Sequence, residues 1–394
     1  MKSNLKILIL AGWYKEAGGI PNFIEEQARM LQRNGHKVSV LHAYIKGTFI
    51  DTLKSRKTEF SVVSDEGILT SRIGVSPVLP KMRQLTYRKL IEECVHYFRS
   101  YIDEHGKPDI IHSHSMFMGG VVGFHLAKKF NIPFFHTEHT SGLVFQPSQY
   151  TLADVRLLKR VYQKSDKVFF VSDFFKRKVI NQYKLKEKNI EVLHNVVEQS
   201  FFQTSNIAAS VNFKYLIIGG LIPVKNHELL LKAWSILLKE YPKSKLIIAG
   251  EGPLEIELKK NASQLNIDYS LKWLSRLSRE KVLDEIGVAN VVLSTSKVET
   301  FGLTIAEAHA KGKPTVVTDS GGVGDSVNSI NGIITEQDVA SFAEGLIKIQ
   351  KGYKNYNPQL ISDDCYQKFS EEIIYNKLME YYDVVLAEFL SEKK

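Results

Sequence analysis

The chain has 394 residues, a formal net charge of +9, 44% hydrophobic residues and 24% charged residues. These proportions are typical of a soluble globular protein, and the length predicts two domains of under about 200 residues each. No apolar run in the sequence approaches the roughly 20 residues that span a bilayer. The two cysteines, Cys94 and Cys365, are too far apart in sequence to indicate a disulfide framework or a zinc site. A cytoplasmic protein is the simplest expectation.

In the first half of the chain, short apolar and β-branched runs alternate with helical patterns. The predicted strands are residues 6–11, 37–43, 109–113, 133–138, 167–172 and 190–194. Helices are predicted over 21–34 and 85–102, and apolar residues from Tyr87 to Tyr101 recur at helical spacing. We interpret that apolar stripe as facing a protein core, with a membrane-facing amphipathic helix as the alternative.

The same alternation restarts in the second half. The predicted elements are strands over residues 213–219, 245–249, 270–274, 290–294, 314–318 and 332–335, and a last helix over about 370–389. Between the two series, the segment 196–212 ends in small and polar residues that are typical of a linker. Two halves of alternating strands and helices predict an α/β fold with two doubly wound domains and a cleft between them.

Several predicted strands of the second half run directly into glycine turns. Ile217 begins the run Ile-Ile-Gly-Gly-Leu-Ile-Pro-Val, which leads to Lys225, and the segments 246–253 and 315–325 contain similar turns. Loops at the carboxyl ends of parallel strands meet at one edge of a sheet. We therefore expect these turns to line one crevice.

Two carboxylates, Glu299 and Glu307, flank a short turn in the same half. Phe301 and Gly302 form the predicted turn, and Leu303–Ala310 has the pattern of a helix that begins there. The free backbone N–H groups at a helix start can receive an anion, and carboxylates accept hydrogen bonds from hydroxyl groups. The segment therefore indicates a nucleotide-sugar site, although each glutamate alone could be an ordinary surface residue.

This ordered set of motifs resembles the retaining glycosyltransferases of the GT-B type, in particular family 4. The hallmark of that family is a Glu-x7-Glu pair, which Glu299 and Glu307 match. The resemblance covers nearly the whole chain and implies two Rossmann-like domains that face a central cleft. It implies an acceptor-binding domain over 1–198, with a helix at about 370–394 packing back toward it. It places the donor-binding domain at 199–369.

The resemblance implies a role for Lys225 as the cation that anchors the donor diphosphate. In the family this lysine follows a Gly-Arg pair, and here Gly220 stands where the arginine belongs. Loss of a charge-assisted contact to phosphate costs on the order of 1.5–3 kcal/mol unless another cation replaces it. Arg276 is the candidate replacement, with a surface arginine as the alternative.

The resemblance also assigns the residues around the carboxylate pair. Glu299 would accept hydrogen bonds from the donor sugar, and Glu307 would hold the ribose hydroxyl groups. Phe301, Gly302 and Leu303 would bring backbone N–H groups to the sugar and phosphate. Thr304, at the start of the same helix, completes the donor-binding set of this segment.

In the first half, Gly18 and Gly19 precede a predicted helix, and the resemblance places such a glycine pair near the donor phosphate. An ordinary turn is the alternative. His114 ends a predicted strand, on the same face as His112, and we expect it to hydrogen-bond the donor sugar or to offset charge in the transition state. His139 is a second strand-end histidine with a similar position, and a structural histidine is the alternative for each.

The sequence indicates neither a metal site nor a cofactor. The close acidic pair at 363–364 lies far from any predicted pocket loop, and we expect no Cys or Asp partner to complete a metal site at His112 and His114. We therefore expect metal-independent chemistry, with the nucleotide-diphosphate sugar as a substrate.

The segment 151–190 carries much of the positive charge. It contains 11 Lys or Arg residues and 4 acids, which gives a local charge of +7. Solvated helices are one interpretation, and attraction to an anionic membrane, a lipid phosphate or a charged glycan is the other. Nucleic acid is not expected because no binding motif accompanies the charge. Peripheral attachment at the inner face of the membrane is thus an alternative to a freely cytoplasmic location.

Together these features predict a retaining hexosyltransferase that acts in polysaccharide or glycoconjugate biosynthesis. It would move a sugar from a nucleotide-diphosphate sugar to a glycan or a lipid-linked acceptor. The alternatives are a nucleotide-sugar epimerase or a phosphorylase of the same fold, or a non-catalytic nucleotide-sugar-binding protein, which the glycine at 220 motivates. A dinucleotide-dependent oxidoreductase is disfavoured because no Gly-x-Gly-x-x-Gly follows the first strand.

Overall fold

A computed structural model describes residues 4–14, 23–47, 58–79, 82–204 and 213–391. The chain divides into two compact units, each built on one β-sheet. The first unit comprises the residues up to Val171, Lys176–Leu193 and the residues from Tyr375 onward. The second unit comprises Ser172–Phe175 and His194–Ile374.

The sheet of the first unit has eight strands in the order β3-β4-β2-β1-β5-β6-β7-β8. The strands are β1 (Lys6–Ala11), β2 (Lys37–Ile45), β3 (Glu59–Asp65), β4 (Ile68–Val75), β5 (Ile110–His114), β6 (Phe134–Glu138), β7 (Lys167–Phe170) and β8 (Ile190–Val192). All neighbouring strands are parallel except β3, which pairs antiparallel with β4. Strands β1 and β7 are almost wholly apolar, as expected where both faces of a parallel sheet are buried, whereas the central strand β5 carries His112, Ser113 and His114.

The helices that begin before residue 194 follow these strands. They are α1 (Phe23–Arg33), α2 (Arg83–His105), α3 (Val121–Phe130), α4 (Gly142–Phe145), α5 (Leu152–Lys164) and α6 (Asp173–Tyr183). The apolar stripe of α2 is buried at Tyr87, Leu90, Cys94, Phe98 and Tyr101. The core-facing interpretation of that helix is therefore confirmed, and the membrane-facing alternative is wrong.

The sheet of the second unit has six parallel strands in the order β11-β10-β9-β12-β13-β14. The strands are β9 (Lys214–Ile218), β10 (Lys245–Ala249), β11 (Leu271–Leu274), β12 (Val291–Ser294), β13 (Thr315–Thr318) and β14 (Gly332–Thr335). After β11 the chain returns to the other side of β9, so the strand order reverses between β9 and β12. Loops diverge at such a switch point and leave a crevice at the carboxyl ends of the strands.

The remaining helices are α7 (His227–Glu240), α8 (Glu255–Gln264), α9 (Arg279–Val288), α10 (Leu303–Ala310), α11 (Val339–Lys351), α12 (Pro358–Phe369) and α13 (Glu371–Ser391). Trp234 of α7 is fully buried, and its indole N–H donates to Ser270 Oγ at 2.9 Å. Its ring packs edge-on against Tyr215 of β9. This aromatic core fixes α7 on the sheet, which in turn fixes the loop that precedes the helix.

The segment predicted as a linker is packed where the structure describes it. Val196, Val197 and Phe201 are buried, and the Val197 N–H donates to the Phe369 carbonyl at 2.9 Å. The residues 205–212 lie outside the described part of the chain. In the described ranges, no helix has both the length and the apolar character needed to cross a bilayer.

Candidate active site

Lys225 stands on a short turn between β9 and α7. The turn is a single 3₁₀ turn over Pro223–Lys225, and Asn226 then adopts a left-handed φ of 51° before α7 begins. The Lys225 N–H donates to Ile222, and its carbonyl accepts from Thr295 Oγ1 at 2.9 Å. The backbone of this lysine is thus held from both sides, so that its side chain projects from a fixed point.

Lys225 forms an ion pair with Glu299. Its Nζ lies 2.6 Å from Glu299 Oε1, and Ser296 Oγ donates to the same oxygen at 2.7 Å. The Glu299 N–H donates to the Ser320 carbonyl at 2.9 Å, which ties the loop to the segment after β13. The side chains of Lys225 and Glu299 are 29% and 17% exposed, so a ligand can reach both charges.

The predicted turn and helix beside Glu299 are present. Gly302 has a φ of 85°, which disfavours other residues, and α10 begins at Leu303 as expected. A Cβ at this position would lie 2.8 Å from Val323 Cγ1, which adds a steric requirement for glycine. The N–H groups of Leu303 and Thr304 belong to the first turn of the helix, where no carbonyl of the helix can accept from them.

These loops enclose a pocket of about 190 Å³ at the switch point of the second sheet. It is lined by Ile217, Ile218, Gly219, Lys225, His227, Leu293, Ser294, Ser296, Glu299, Gly302, Leu303, Thr304 and Ile305. Five of the residues predicted for the donor site, Lys225, Glu299, Gly302, Leu303 and Thr304, therefore meet in one cavity. A cation, a carboxylate and a helix start on its wall suit an anionic sugar derivative.

Phe301 contributes packing to this region. Its side chain is 2% exposed, and its ring lies 5.8 Å from His194 and 5.2 Å from Phe369 between ring centroids. The phenyl ring is absent from the pocket lining. Phe301 thus anchors the turn by packing against His194 and Phe369. Its predicted backbone contact to a donor stays a prediction.

Glu307 lies outside the pocket lining and has a partner that sequence reasoning missed. Its Oε1 is 2.5 Å from Arg279 Nη1, and Arg279 Nε lies 3.0 Å from Glu198 Oε2. The guanidinium stacks 4.5 Å from the centroid of Phe201. Burial raises the pKa of Glu307, and the Arg279 charge opposes that rise. The predicted contact of Glu307 with a ribose stays a prediction.

The proposed substitute for the missing arginine does not line the pocket. Arg276 is exposed, and its backbone N–H donates to Glu251 Oε1 at 3.2 Å. Gly220 adjoins Gly219 of the pocket wall, and a Cβ at position 220 would meet no atom closer than 3.7 Å. The backbone at 220 therefore has room for a side chain that this sequence lacks.

His114 ends β5 in the first unit and is fully buried. Its Nδ1 is 3.1 Å from His139 Nε2, its ring stacks on His112, and its Nε2 has no hydrogen-bond partner in the described residues. Burial, assisted by His136, lowers the pKa of His114 to about 3. The neutral ring can hydrogen-bond a donor sugar, whereas the expected charge-offsetting role is disfavoured.

The predicted glycine pair of the first half, Gly18 and Gly19, lies outside the described residues.

A buried carboxylate, which the sequence did not single out, fixes the loop that carries His139. Glu138 accepts hydrogen bonds from the backbone N–H groups of His139 and Thr140 at 2.9 and 2.7 Å. Its other oxygen accepts from the Tyr162 hydroxyl and from His136 Nε2. Burial opposes ionisation of Glu138, but the hydrogen bond and the charge of His136 keep its pKa below the usual value. In sequence, the only signal is an acid at the end of an apolar strand.

No group of three metal-ligating side chains occurs in the part of the chain that the structure describes. Metal independence stays a prediction.

Solved structures share this architecture over almost the whole chain. Sucrose-phosphate synthase from Thermosynechococcus elongatus aligns over 97% of this chain and 100% of its own, with a TM-score of 0.78 and 18% identity. Anabaena HepE in complex with UDP-glucose aligns over 98% of this chain and 100% of its own, with a TM-score of 0.71 and 18% identity. The fold is therefore that of the GT-B glycosyltransferases, as predicted.

Residues 17–201 match the family described as Glycosyltransferase Family 4, and residues 199–360 match Glycosyl transferases group 1. The chain belongs to the GT-B glycosyltransferases of family 4.

Three curated relatives are similar at low identity. Alpha-monoglucosyldiacylglycerol synthase of Streptococcus pneumoniae is 26% identical over 77% of this chain and 68% of its own length. One subunit of the phosphatidylinositol N-acetylglucosaminyltransferase of Homo sapiens is 26% identical over 85% of this chain and 66% of its own length. Mannosylfructose-phosphate synthase of Agrobacterium fabrum is 27% identical over 78% of this chain and 72% of its own length. The chain thus spans about two thirds of the length of the first two relatives.

Proposed function

We propose that this chain is a retaining hexosyltransferase that moves a sugar from a nucleotide-diphosphate sugar to a lipid-linked or glycan acceptor. The observation that carries the proposal is the pocket in which Lys225, Glu299 and the start of α10 meet. Retention of anomeric configuration follows from the family resemblance. A structural neighbour, Anabaena HepE, forms a complex with UDP-glucose, which supports this class of donor.

The diphosphate of the donor would bind to Lys225 and to the N–H groups of Leu303 and Thr304. A helix start and an ammonium group both attract an anion. As the bond between sugar and phosphate breaks, negative charge grows on the diphosphate, and fixed positive groups stabilise it. In this proposal the protein supplies that charge, and neither a metal nor a cofactor takes part.

Donor binding would rearrange the ion pair in the pocket. Lys225 would exchange its contact with Glu299 for one with the diphosphate, and the carboxylate would then accept a hydrogen bond from a sugar hydroxyl. Ser296 remains beside Glu299 at 2.7 Å and would hold the carboxylate in place during the exchange. Glu299 therefore acts as an acceptor of hydrogen bonds, and no carboxylate nucleophile is required.

We propose a lipid-linked acceptor and a place in glycoconjugate synthesis. The names of two relatives include a diacylglycerol and a phosphatidylinositol, both of which are lipids. Two neighbouring grooves of the first unit share Lys164, one with Lys128 and Arg160 and the other with Lys186 and Lys188. Such a cationic surface is attracted to an anionic membrane. The cytoplasmic chain would then attach peripherally to the inner face of the membrane.

A thermal-shift screen against nucleotides and nucleotide sugars tests the donor class, because a bound ligand stabilises the folded state by mass action. A nucleotide sugar that raises the melting temperature is then incubated with lipid and glycan acceptors, and the product linkage is determined. Transfer with retained configuration is expected. Conversion of the donor without an acceptor would indicate an epimerase, and binding without turnover would indicate the non-catalytic alternative that Gly220 motivates.

A further inference from the structure

His227 is a buried polar residue on the wall of the pocket, and the sequence assigns no role to it. It is the first residue of α7, two positions after Lys225, and it is 1% exposed. Neither of its ring nitrogens has a hydrogen-bond partner in the described residues. Buried polar groups are normally hydrogen-bonded, because an unsatisfied one loses its hydrogen bonds to water and gains none in return.

Another buried histidine of this chain is fully paired, whereas His42, His114 and His309 each have one buried nitrogen without a partner in the described residues, and His227 has two. His36 of the first unit accepts from the Leu5 N–H at Nδ1, at 3.1 Å, and its Nε2 lies 3.0 Å from the Tyr375 hydroxyl. Both of its nitrogens are therefore paired inside the protein. The unpaired nitrogens of His227 stand beside a cavity instead, which indicates that their partner is a ligand.

The protonation state of His227 narrows the chemistry of that ligand. Burial, followed by the charge of Lys225, lowers the pKa of His227 to about 4, so the ring is neutral near pH 7. A neutral imidazole has one N–H donor and one acceptor nitrogen. A hydroxyl group also donates and accepts, whereas a phosphate oxygen can only accept from the ring. The pocket already offers Lys225 and a helix start to the phosphates.

We propose that His227 is a specificity-determining residue that hydrogen-bonds a hydroxyl group of the transferred sugar. This inference rests on the proposed function, since it requires a nucleotide sugar in the pocket. His227 and Glu299 then recognise sugar hydroxyl groups, while Lys225 holds the diphosphate. The imidazole distinguishes donors by whether the transferred sugar presents a hydroxyl group to it. A nucleoside diphosphate lacks that sugar and therefore cannot form this hydrogen bond.

The test uses His227→Phe, which removes both nitrogens and keeps a flat ring, and His227→Gln, which keeps a donor and an acceptor. Calorimetry measures binding of UDP-glucose, UDP-N-acetylglucosamine and GDP-mannose, and of UDP and GDP alone. His227→Phe should weaken the best nucleotide sugar by roughly 3- to 10-fold, as expected for one lost hydrogen bond. Binding of the matching diphosphate should change less than about twofold, and His227→Gln should recover part of the loss.

The matched control is His125→Phe. His125 lies on α3 of the first unit, and its ring bonds to the Val121 carbonyl of the same helix. This variant should bind all ligands as the wild type does. Melting temperatures of all variants show whether each is folded. If His227→Phe does not fold, His227→Gln is tested in its place, and a smaller but still selective loss of nucleotide-sugar binding is expected.

The outcomes separate the inference from the proposed function. Equal weakening of the nucleotide sugar and the diphosphate, or unchanged binding of both, would overturn the role of His227 alone. A wild-type protein that binds none of the nucleotide sugars would overturn the proposed function and this inference together. Selective loss of nucleotide-sugar binding in His227→Phe supports both.

Discussion

The ion pair of Lys225 and Glu299 is the residue-scale feature on which the proposed chemistry depends. We predict that Lys225→Ala and Glu299→Ala each lower the rate of sugar transfer by on the order of 100-fold, as is typical when a charge-stabilising group is lost. Both side chains are partly exposed, so neither substitution should unfold the protein. Initial rates and thermal melting curves measure the two effects separately.

Lys232→Ala is the matched control for this prediction. Lys232 is an exposed lysine of α7 that pairs with Glu228 on the helix surface. Its loss should leave transfer unchanged, because an exposed ion pair contributes little to the stability of the fold. Near-normal turnover in Lys225→Ala or Glu299→Ala would contradict the assignment of the pocket.

Position 220 offers a gain-of-function prediction. An arginine at 220 would restore the second cation of the family motif, and the nearest atom to its Cβ would be 3.7 Å away. We predict that Gly220→Arg tightens binding of the donor diphosphate by about tenfold or more, given 1.5–3 kcal/mol for a hydrogen bond to a charged group. Calorimetry with the diphosphate measures the gain. Gly220→Gln has a long side chain without the charge and should give little change, and equal affinities of both variants would refute the idea.

Sequence reasoning found the part of the pocket that is local in sequence. Gly302 marks the start of α10 because its positive φ leaves a recognisable glycine, and Glu299 and Lys225 follow strand ends. It missed the pairing of Arg279 with Glu307, which are 28 residues apart and meet only through the fold. It also gave no role to His227, because a lone histidine at a helix start has no pattern. Its distance of two residues from Lys225 was the one available signal.

At the scale of elements, the cationic face of the first unit carries the next prediction. We expect the protein to bind vesicles that contain anionic lipid at low salt and to dissociate as salt rises, because screening shortens the reach of charges to about 10 Å near 0.1 M. Lys164, Lys186 and Lys188 line one groove. Replacing all three with Ser should lower vesicle affinity by at least tenfold, at roughly 1 kcal/mol for each lysine.

Vesicle co-sedimentation measures that affinity. The control replaces Lys239, Lys243 and Lys260, three exposed lysines of the second unit, and should bind vesicles as the wild type does. Binding that is insensitive to salt and equal in both triple variants would leave the segment 151–190 as a solvated surface.

The elements that the sequence predicted well are those with strong patterns. The stripe of α2 was found because it keeps a helical period over its length, and β1 was found because it is a short continuous apolar run. The hairpin of β3 and β4 was missed. Strand β3 is an exposed edge strand with polar residues, and its turn places Glu66 at a φ of 49°, a conformation that glutamate seldom adopts. Neither feature resembles the usual signal of a hairpin.

At the scale of the whole molecule, we predict that transfer persists in excess EDTA. The pocket supplies positive charge through Lys225 and the start of α10, and no group of three metal-ligating side chains lies in the described ranges. Rates with EDTA, with added magnesium and with added manganese should agree within a factor of about two. Loss of activity in EDTA that either metal restores would show that a metal supplies the charge.

Stability should fall as the solution becomes acidic. Burial lowers the pKa of His42 and His227 to about 4 and of His309 to about 3. The folded chain therefore binds fewer protons than the unfolded chain, whose histidines titrate near about 6.5, and stability declines from that pH downward. The raised pKa of Glu307 has the opposite effect on stability, because the folded chain holds that proton more tightly than the unfolded chain does. The three histidines outweigh this one carboxylate.

Urea unfolding at pH 7.5, 6 and 5 measures this decline as a falling midpoint. His309→Gln removes one buried imidazole that bonds to Thr315, and its midpoint should change less with pH than that of the wild type. A midpoint that stays constant from pH 7.5 to 5 would contradict the role of the buried histidines.

The division of the chain between the two units has a consequence for synthesis on the ribosome. The sheet of the first unit is translated early, yet His36 and His112 find their partners in Tyr375 and Tyr382, which lie 339 and 270 residues later. The second unit draws only on residues up to Ile374. The sheet of the second unit can thus complete its contacts during synthesis. The sheet of the first unit lacks Tyr375 and Tyr382 until α13 has been translated.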